Sequence, residues 1–107
     1  MEIGELTNLQ MLNLSDNKLK TLPEEIKTLH KLQMLSLYKN RMKYLPNEFR
    51  ELSHLEALYL GRNRLTAIPV WIGGIGQLKR LDVSLNPITP LEVKYLQNLL
   101  PKVDLTY

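Results

Sequence analysis

The sequence contains no cysteine among its 107 residues. A disulfide framework, a zinc site built on thiolates and a cysteine nucleophile are therefore excluded. No stretch approaches the roughly 18 consecutive apolar residues that a transmembrane helix requires. The first residues also lack the basic segment followed by an apolar stretch that marks a secretory signal peptide. These absences lead us to expect one soluble domain, located in the cytoplasm.

Groups that do chemistry are scarce as well. The formal net charge is only +3, which does not by itself indicate nucleic-acid binding. His30 and His54 have neither the spacing of metal ligands nor the partners of a catalytic triad. The glycine-rich stretch 73–76 lacks the Lys-Ser/Thr that completes a phosphate-binding loop. We therefore predict no catalytic residue, no metal site and no cofactor, and we regard nucleic acid as an unlikely partner.

What the sequence has instead is a repeat of 23 residues. Asn17, Asn40, Asn63 and Asn86 keep this step, as do four columns of apolar residues and, in three units, a proline. One unit reads L-x-x-L-x-x-L-x-L-x-x-N-x-L-x-x-L-P-x-x-I-x-x. We divide a single domain, 1–107, into a half repeat 1–5, repeats 6–28, 29–51, 52–74 and 75–97, and a C-terminal capping segment 87–107.

This unit resembles the leucine-rich repeat family, and its L-P-x-x-I form is similar to the intracellular group of Ras-suppressor and plant Ras-group proteins. The resemblance implies a short, curved, right-handed α/β solenoid. A parallel β-sheet would line its concave face, and short helices or 3-10 turns would line its convex face. It also implies a non-catalytic scaffold or adaptor in signalling, with small GTPases or phosphatase and kinase complexes as typical partners.

The unit can also be explained from its residues. Leu12 and Leu14 alternate with polar or exposed positions, which predicts a short half-buried strand that only stacked neighbours can cover. The asparagine follows where the chain turns inward, so we interpret the four asparagines as a structural ladder that satisfies backbone groups. Pro23 suits the first position of a short helix.

The two ends differ. Residues 1–5 begin in mid-repeat, which suggests a fragment of a longer array or an edge that another chain covers, including a second copy. At the other end, Thr89-Pro90-x-Glu92 resembles a capping box. The apolar stripe expected for the helix that follows comprises Leu91, Tyr95, Leu96, Leu99 and Leu100. A fifth strand is predicted around Val103 and Leu105, one residue early by the repeat step.

Residues 23 apart become neighbours about 5 Å apart on adjacent strands, so the sequence can be converted into surface columns. Lys102, Asp104 and Thr106 are expected to continue the columns of Arg80, Asp82 and Ser84. The predicted partner-binding face is a Met/Tyr patch rimmed by basic residues, suited to an acidic or amphipathic protein surface. Its members are Met11, Asn13, Met34, Ser36, Tyr38, Lys39, Tyr59, Arg62, Arg80 and Asp82. The alternative is an ordinary solvated strand surface.

A second surface lies on the loops after the asparagines. Basic residues recur there, and they would suit a nucleic acid or an acidic lipid, or simply a solvated face. They are Lys18, Lys20, Arg41, Lys43 and Arg64. Trp71 departs from a column of polar residues, so it either packs against its neighbours or anchors a partner.

Overall fold

The computed structural model describes residues 6–107. Five strands form one parallel sheet in chain order: β1 (Met11–Asn13), β2 (Met34–Ser36), β3 (Ala57–Tyr59), β4 (Arg80–Asp82) and β5 (Asp104–Thr106). The return segments contain 3-10 turns at Glu24–Thr28, Asn47–Glu51 and Val70–Gly74, followed by helix α1 (Pro90–Leu99). The predicted α/β solenoid is therefore confirmed. The half repeat 1–5, and with it the edge expected to self-associate, lies outside the described residues.

The pairing of the strands follows the 23-residue step until the last pair. Leu12 pairs with Leu35, and Leu35 with Leu58. Leu81, however, pairs with Leu105, which is 24 residues later. The register predicted for the fifth strand was therefore wrong, because Arg80 faces Asp104 rather than Lys102, and Asp82 faces Thr106 rather than Asp104.

The longer last return explains this shift. The three earlier returns use five-residue 3-10 turns, whereas α1 has ten residues. An α-helix advances about 1.5 Å per residue and a 3-10 helix about 2.0 Å, so α-helix needs more residues to cover a given length. After α1 the chain makes one further turn, in which Val103 N–H donates to the Leu100 carbonyl. Leu105 then takes the core-facing strand position, partly buried, one residue later than the step requires.

The core is a stack of equivalent apolar side chains. Leu35, Leu37, Leu58 and Leu60 line it from the strands and have no exposed surface. The 3-10 turns close it from the other side with a second buried group: Ile26, Phe49 and Ile72. Near β1, Leu12, Leu14 and Leu19 are only partly buried. Each unit therefore covers the next, as stacking of repeats requires.

The asparagines form a hydrogen-bonded series along the turn that follows each strand. The Asn63 amide nitrogen donates to the carbonyls of Leu37, Leu60 and Gly61, and its Oδ1 accepts from Met42 N–H at 3.0 Å. Asn40 and Asn86 make the equivalent contacts one unit earlier and one unit later. The Leu37 carbonyl thus accepts from both Asn40 and Asn63, so successive units are linked through shared acceptors.

A column of left-handed backbone marks the exit of each strand. Asp16, Lys39, Arg62 and Leu85 have φ between 55° and 61°. This conformation costs an ordinary L-residue roughly 1–2 kcal/mol. It turns the N–H of Lys39 toward the Gly61 carbonyl and that of Arg62 toward the Ser84 carbonyl, at 2.8 and 2.9 Å. The strain is thus offset by bonds to the next unit, and the four side chains are left exposed at the rim of the sheet.

The prolines lie one position earlier than predicted. Pro23 has an extended backbone, with φ −65° and ψ 152°, and it precedes the 3-10 turn instead of beginning it. Pro46 and Pro69 occupy the same place. Extended geometry is typical of the residue that caps a helix, and the proline carbonyl accepts the first hydrogen bond of the turn. The predicted location of the short helices is correct, and only the first residue of each one shifts.

Helix α1 has the predicted Thr89 cap and Pro90 start, without the reciprocal Glu92 side-chain bond of a full capping box, and it buries a different face than predicted. Thr89 Oγ1 accepts from Glu92 N–H at 3.2 Å, and Pro90 is the first helical residue. Leu96 and Leu100 are buried, whereas Leu91 is 78% exposed and Tyr95 45% exposed. A helix rotates about 100° per residue, so Leu91 lies about 140° around the axis from Leu96. The predicted stripe was therefore wrong for Leu91 and Tyr95.

Trp71 is partly buried and packs against the core. It lies in the last 3-10 turn, where a Cβ at Gly73 would stand 3.2 Å from Leu99 Cδ1 of α1. This close approach shows that α1 covers the end of that turn. Packing is therefore the role of Trp71 that the structure supports.

Candidate functional site

The concave sheet surface carries the side chains that point away from the core. Within the strands, Asn13, Ser36, Tyr59 and Asp82 form one such row, because the register places each beside the next. Tyr38 and Gly61 follow their strands and extend the surface. We call this surface the strand face, and it consists of Met11, Asn13, Ser15, Met34, Ser36, Tyr38, Ala57, Tyr59, Gly61, Arg80, Asp82 and Ser84.

The centre of the strand face is a shallow, open depression. Met34, Tyr38 and Tyr59 supply its apolar wall, and polar residues complete its lining: Asn13, Ser15, Ser36 and Asp82. Two strand-face residues predicted to bind a partner, Met11 and Arg80, do not line this depression. Met11 is 63% exposed on the outermost described strand. The structure thus gathers the Met/Tyr group around one place and leaves these two residues at the sides.

Gly61 leaves room for the Tyr38 ring on the strand face. A Cβ at Gly61 would stand 2.9 Å from Tyr38 Cδ2 and 3.0 Å from Ser84 Oγ. The missing side chain therefore makes the space that the Tyr38 ring occupies. Since Gly61 does not adopt a positive φ, the requirement for glycine here is steric and not conformational.

Gly61→Ala should therefore displace Tyr38 and lower the free energy of unfolding by roughly 1–2 kcal/mol, as overpacking does. Urea unfolding followed by circular dichroism measures the change. Gly76→Ala is the matched control, because a Cβ there meets nothing within 4 Å, and it should change stability by less than about 0.5 kcal/mol. Equal effects of the two substitutions would contradict the assigned position of the tyrosine ring.

Each polar side chain that lines the depression already has a hydrogen-bond partner on the strand face. Ser15 Oγ lies 2.6 Å from Ser36 Oγ, and it also donates to Asn13 Oδ1. Asp82 Oδ1 accepts from Ser84 N–H at 2.9 Å. These bonds hold the polar side chains of the depression in place. The groups of the depression with most capacity to contact a partner are therefore its Met and Tyr side chains.

The basic rim predicted around this patch is only partly available. Lys39 Nζ lies 3.5 Å from Asp16 Oδ1, and Arg80 Nε lies 3.8 Å from Asp104 Oδ2. The second pair exists because of the revised register of β5. Arg62 is exposed, and its side chain has no ion pair with any of residues 6–107. One cation thus stands beside the depression without a carboxylate partner.

The loop cations predicted as an alternative surface lie elsewhere, beyond the asparagine ladder. Four of them line one cleft together with a hydroxyl and an aromatic residue; we call it the basic cleft, and its lining is Lys20, Thr21, Arg41, Lys43, Tyr44 and Arg64. Lys18 precedes this group on the same loop but does not line the cleft. Tyr44 was not predicted, although its 23-residue column, with Thr21 and Ala67, could have indicated an exposed position.

Residues 6–107 contain neither a cluster of metal ligands nor a helix that could span a membrane. No group of three or more His, Asp or Glu side chains there is arranged to hold a metal ion. No helix in that range has both the length and the apolar character needed to cross a bilayer.

Comparison with known proteins gives consistent results. A family model described as a leucine-rich repeat region matches residues 1–101. A solved structure of a leucine-rich repeat protein from Leptospira interrogans is 41% identical, with a TM-score of 0.92 over 98% of this chain. This chain spans 27% of the length of that protein. A search of the curated proteins gives no match.

Proposed function

The chain belongs to the leucine-rich repeat family, and from that premise we propose that it is a binding module that holds a protein partner on its strand face. Family and fold suggest protein interaction in general. The observation that carries the finer proposal is the depression lined by Met34, Tyr38 and Tyr59. The narrower resemblance to Ras-suppressor proteins, and small GTPases or phosphatase and kinase complexes as partners, stay predictions.

The chemistry of these side chains supports the proposal. Tyrosine is enriched among the residues that dominate binding energy, and methionine adapts its shape to different partners. The Tyr38 ring rests over Gly61 before any partner arrives, so binding would cost less side-chain entropy than for a mobile ring. A preorganised apolar group, surrounded by polar side chains that are already hydrogen-bonded, is a suitable site for a partner residue to bind.

The charges around the depression indicate which kind of partner the strand face would bind. Because Lys39 and Arg80 are paired with acidic residues, the rim does not present the continuous basic border expected from the sequence. We propose that the partner inserts an apolar group between the two tyrosines and offers one carboxylate to Arg62. This describes an amphipathic protein segment. The proposed role is non-catalytic, as is general in this family.

The test compares proteins captured from a cell lysate by three forms of the chain. One is the wild type, one carries Met34→Ala, Tyr38→Ala and Tyr59→Ala, and the control carries Leu91→Ala, Tyr95→Ala and Tyr107→Ala. The control removes the same kinds of side chain at exposed positions elsewhere. We expect at least one protein to be captured by the wild type and the control and reduced about tenfold by the strand-face variant.

Circular dichroism first establishes that both variants are folded. The captured protein is then purified and its affinity for all three forms is measured directly by calorimetry. A partner bound equally by all three forms would contradict the proposed site. Affinity lost in the control alone would move the interface to the C-terminal helix.

A further inference from the structure

The basic residues of this chain are unevenly distributed. Five of the 14 lie on three successive loops, at Lys18, Lys20, Arg41, Lys43 and Arg64. The other nine are outnumbered by the eleven acidic residues of the chain. The net positive charge therefore originates on this one loop surface. Such a concentration attracts anions locally, even though the total charge is small.

The basic cleft holds four of these cations close together. No carboxylate belongs to its lining, and its Lys and Arg side chains form no ion pair within residues 6–107. Backbone hydrogen bonds tie the loops together, from Arg41 N–H to the Leu19 carbonyl and from Arg64 N–H to the Met42 carbonyl, both at 2.8 Å. The cations are thus held on neighbouring, bonded loops, and Arg41 is partly buried among them.

We propose that the basic cleft binds the phosphate monoester groups of a phosphorylated segment of a partner protein. A phosphate monoester carries close to two negative charges near neutral pH and offers three strong acceptor oxygens. The forked guanidinium groups of Arg41 and Arg64 can donate paired hydrogen bonds to such a group, and Lys20 and Lys43 add compact charges. Tyr44 contributes a further hydroxyl donor. This site is separate from the strand face and does not depend on the function proposed for it.

The limited extent of the cleft favours a short phosphorylated segment over a nucleic acid. At the 23-residue step, the column of Lys18, Arg41 and Arg64 continues with Pro87 in the fourth repeat. The column of Lys20 and Lys43 already continues with Thr66 in the third repeat. The basic surface therefore ends after three loops, about 10 Å across at one strand spacing per loop. A nucleic-acid backbone is normally followed by a longer stripe of cations. Two phosphates three residues apart in an extended segment, about 10 Å, match this width.

The cleft differs from a polybasic membrane-binding segment in how its cations are arranged. Its cations surround a recess, and Tyr44, which is 64% exposed, stands beside them. Polybasic segments that bind anionic bilayers lie next to a membrane helix or on an amphipathic helix, whereas these four cations come from three loops of the repeat. A phosphate group that enters the recess could contact the half-buried Arg41, while the peptide that carries the phosphate lies beside Tyr44.

The test measures fluorescence anisotropy of a labelled peptide of about twelve Gly, Ala and Ser residues, with two phosphoserines three positions apart. The unphosphorylated peptide serves as its reference. We expect phosphorylation to tighten binding at least about tenfold, and Lys43→Gln with Arg64→Gln to remove at least about tenfold of the affinity. The matched control, Arg50→Gln with Lys102→Gln, removes one arginine and one lysine from exposed positions elsewhere and should bind like the wild type.

Three results would overturn the proposal: no dependence on phosphorylation, equal loss in the cleft and control variants, or tighter cleft-dependent binding of another anion. The other anions are an oligothymidylate of about twelve nucleotides and phosphatidylcholine vesicles containing phosphatidylserine. The variant with Met34→Ala, Tyr38→Ala and Tyr59→Ala should bind the phosphopeptide normally. A failure of the strand-face site and a failure of the basic cleft are therefore distinguishable.

Discussion

Asn63→Leu should lower the free energy of unfolding by about 3 kcal/mol, one of the two largest effects we expect from a single substitution. Asn63 is only 7% exposed, and its side chain is bonded to four backbone groups in two repeats. Leucine has the same number of side-chain heavy atoms, branched at the same place, but can neither donate nor accept a hydrogen bond. The expected loss therefore comes from polar groups and not from a cavity.

Because the backbone carbonyls that Asn63 contacts accept more than one hydrogen bond each, they remain hydrogen-bonded when its side-chain amide is removed. The Leu37 carbonyl keeps its bond from Asn40, the Leu60 carbonyl keeps its bond from Asn86, and the Gly61 carbonyl keeps Lys39 N–H. Met42 N–H loses the acceptor that Asn63 provides. A buried N–H without an acceptor lowers the free energy of unfolding by about 1–3 kcal/mol, and the hydrogen bonds lost from the Asn63 amide nitrogen add to that loss.

Urea unfolding followed by circular dichroism measures the change, with Asn17→Leu as the control. Asn17 occupies the same place in the first unit but is exposed, and its amide contacts the carbonyls of Leu14 and Ser15. Water can replace those bonds, so this control should cost less than about 1 kcal/mol. Similar losses in the two variants would show that the fold does not depend on burial of the ladder.

The repeated parts of this fold could be predicted because every unit is subject to the same requirement. A strand of alternating Leu, an inward Asn and a Pro before the return recur, since each unit has to present the same surface to its neighbours. The exceptions occur where the chain departs from the repeat. The shift of Leu105 and the exposure of Leu91 depend on the length and rotation of α1, and no neighbouring unit provides a template for either.

The candidate sites were predictable in part for the same reason. The 23-residue step placed Met34, Tyr38 and Tyr59 on one surface, and Arg41 and Arg64 on another. It places Tyr38 and Gly61 next to each other in one column, but it could not reveal that the Tyr38 ring turns toward Gly61, because that depends on the direction of the side chain. Nor could it reveal the pairing of Arg80 with Asp104, which depends on the register of β5. The period predicts which residues become neighbours, whereas the direction of the side chains and the register of the last strand decide which of them touch.

The second large effect is expected for Phe49→Ala, which should cost about 4 kcal/mol. Phe49 is fully buried and is the largest fully buried side chain among the described residues. It lies on the second 3-10 turn, where the turns before and after supply Ile26 and Ile72. Alanine would leave a cavity, because the stacked units on both sides hold its walls in place. The same urea unfolding experiment measures this loss.

Phe49→Ile is the control that separates loss of volume from loss of the aromatic ring. Isoleucine already occupies the equivalent place in both neighbours, so we expect it to cost about 2 kcal/mol or less. A cost as large as that of alanine would mean that the core around Phe49 cannot adjust to the side chain used next to it. This turn connects β2 to β3, and Tyr38 follows β2 while Tyr59 ends β3. Although Phe49 is buried and cannot contact a partner, Phe49→Ala should therefore also weaken binding at the strand face. The Phe49→Ile variant should bind a partner nearly as the wild type does.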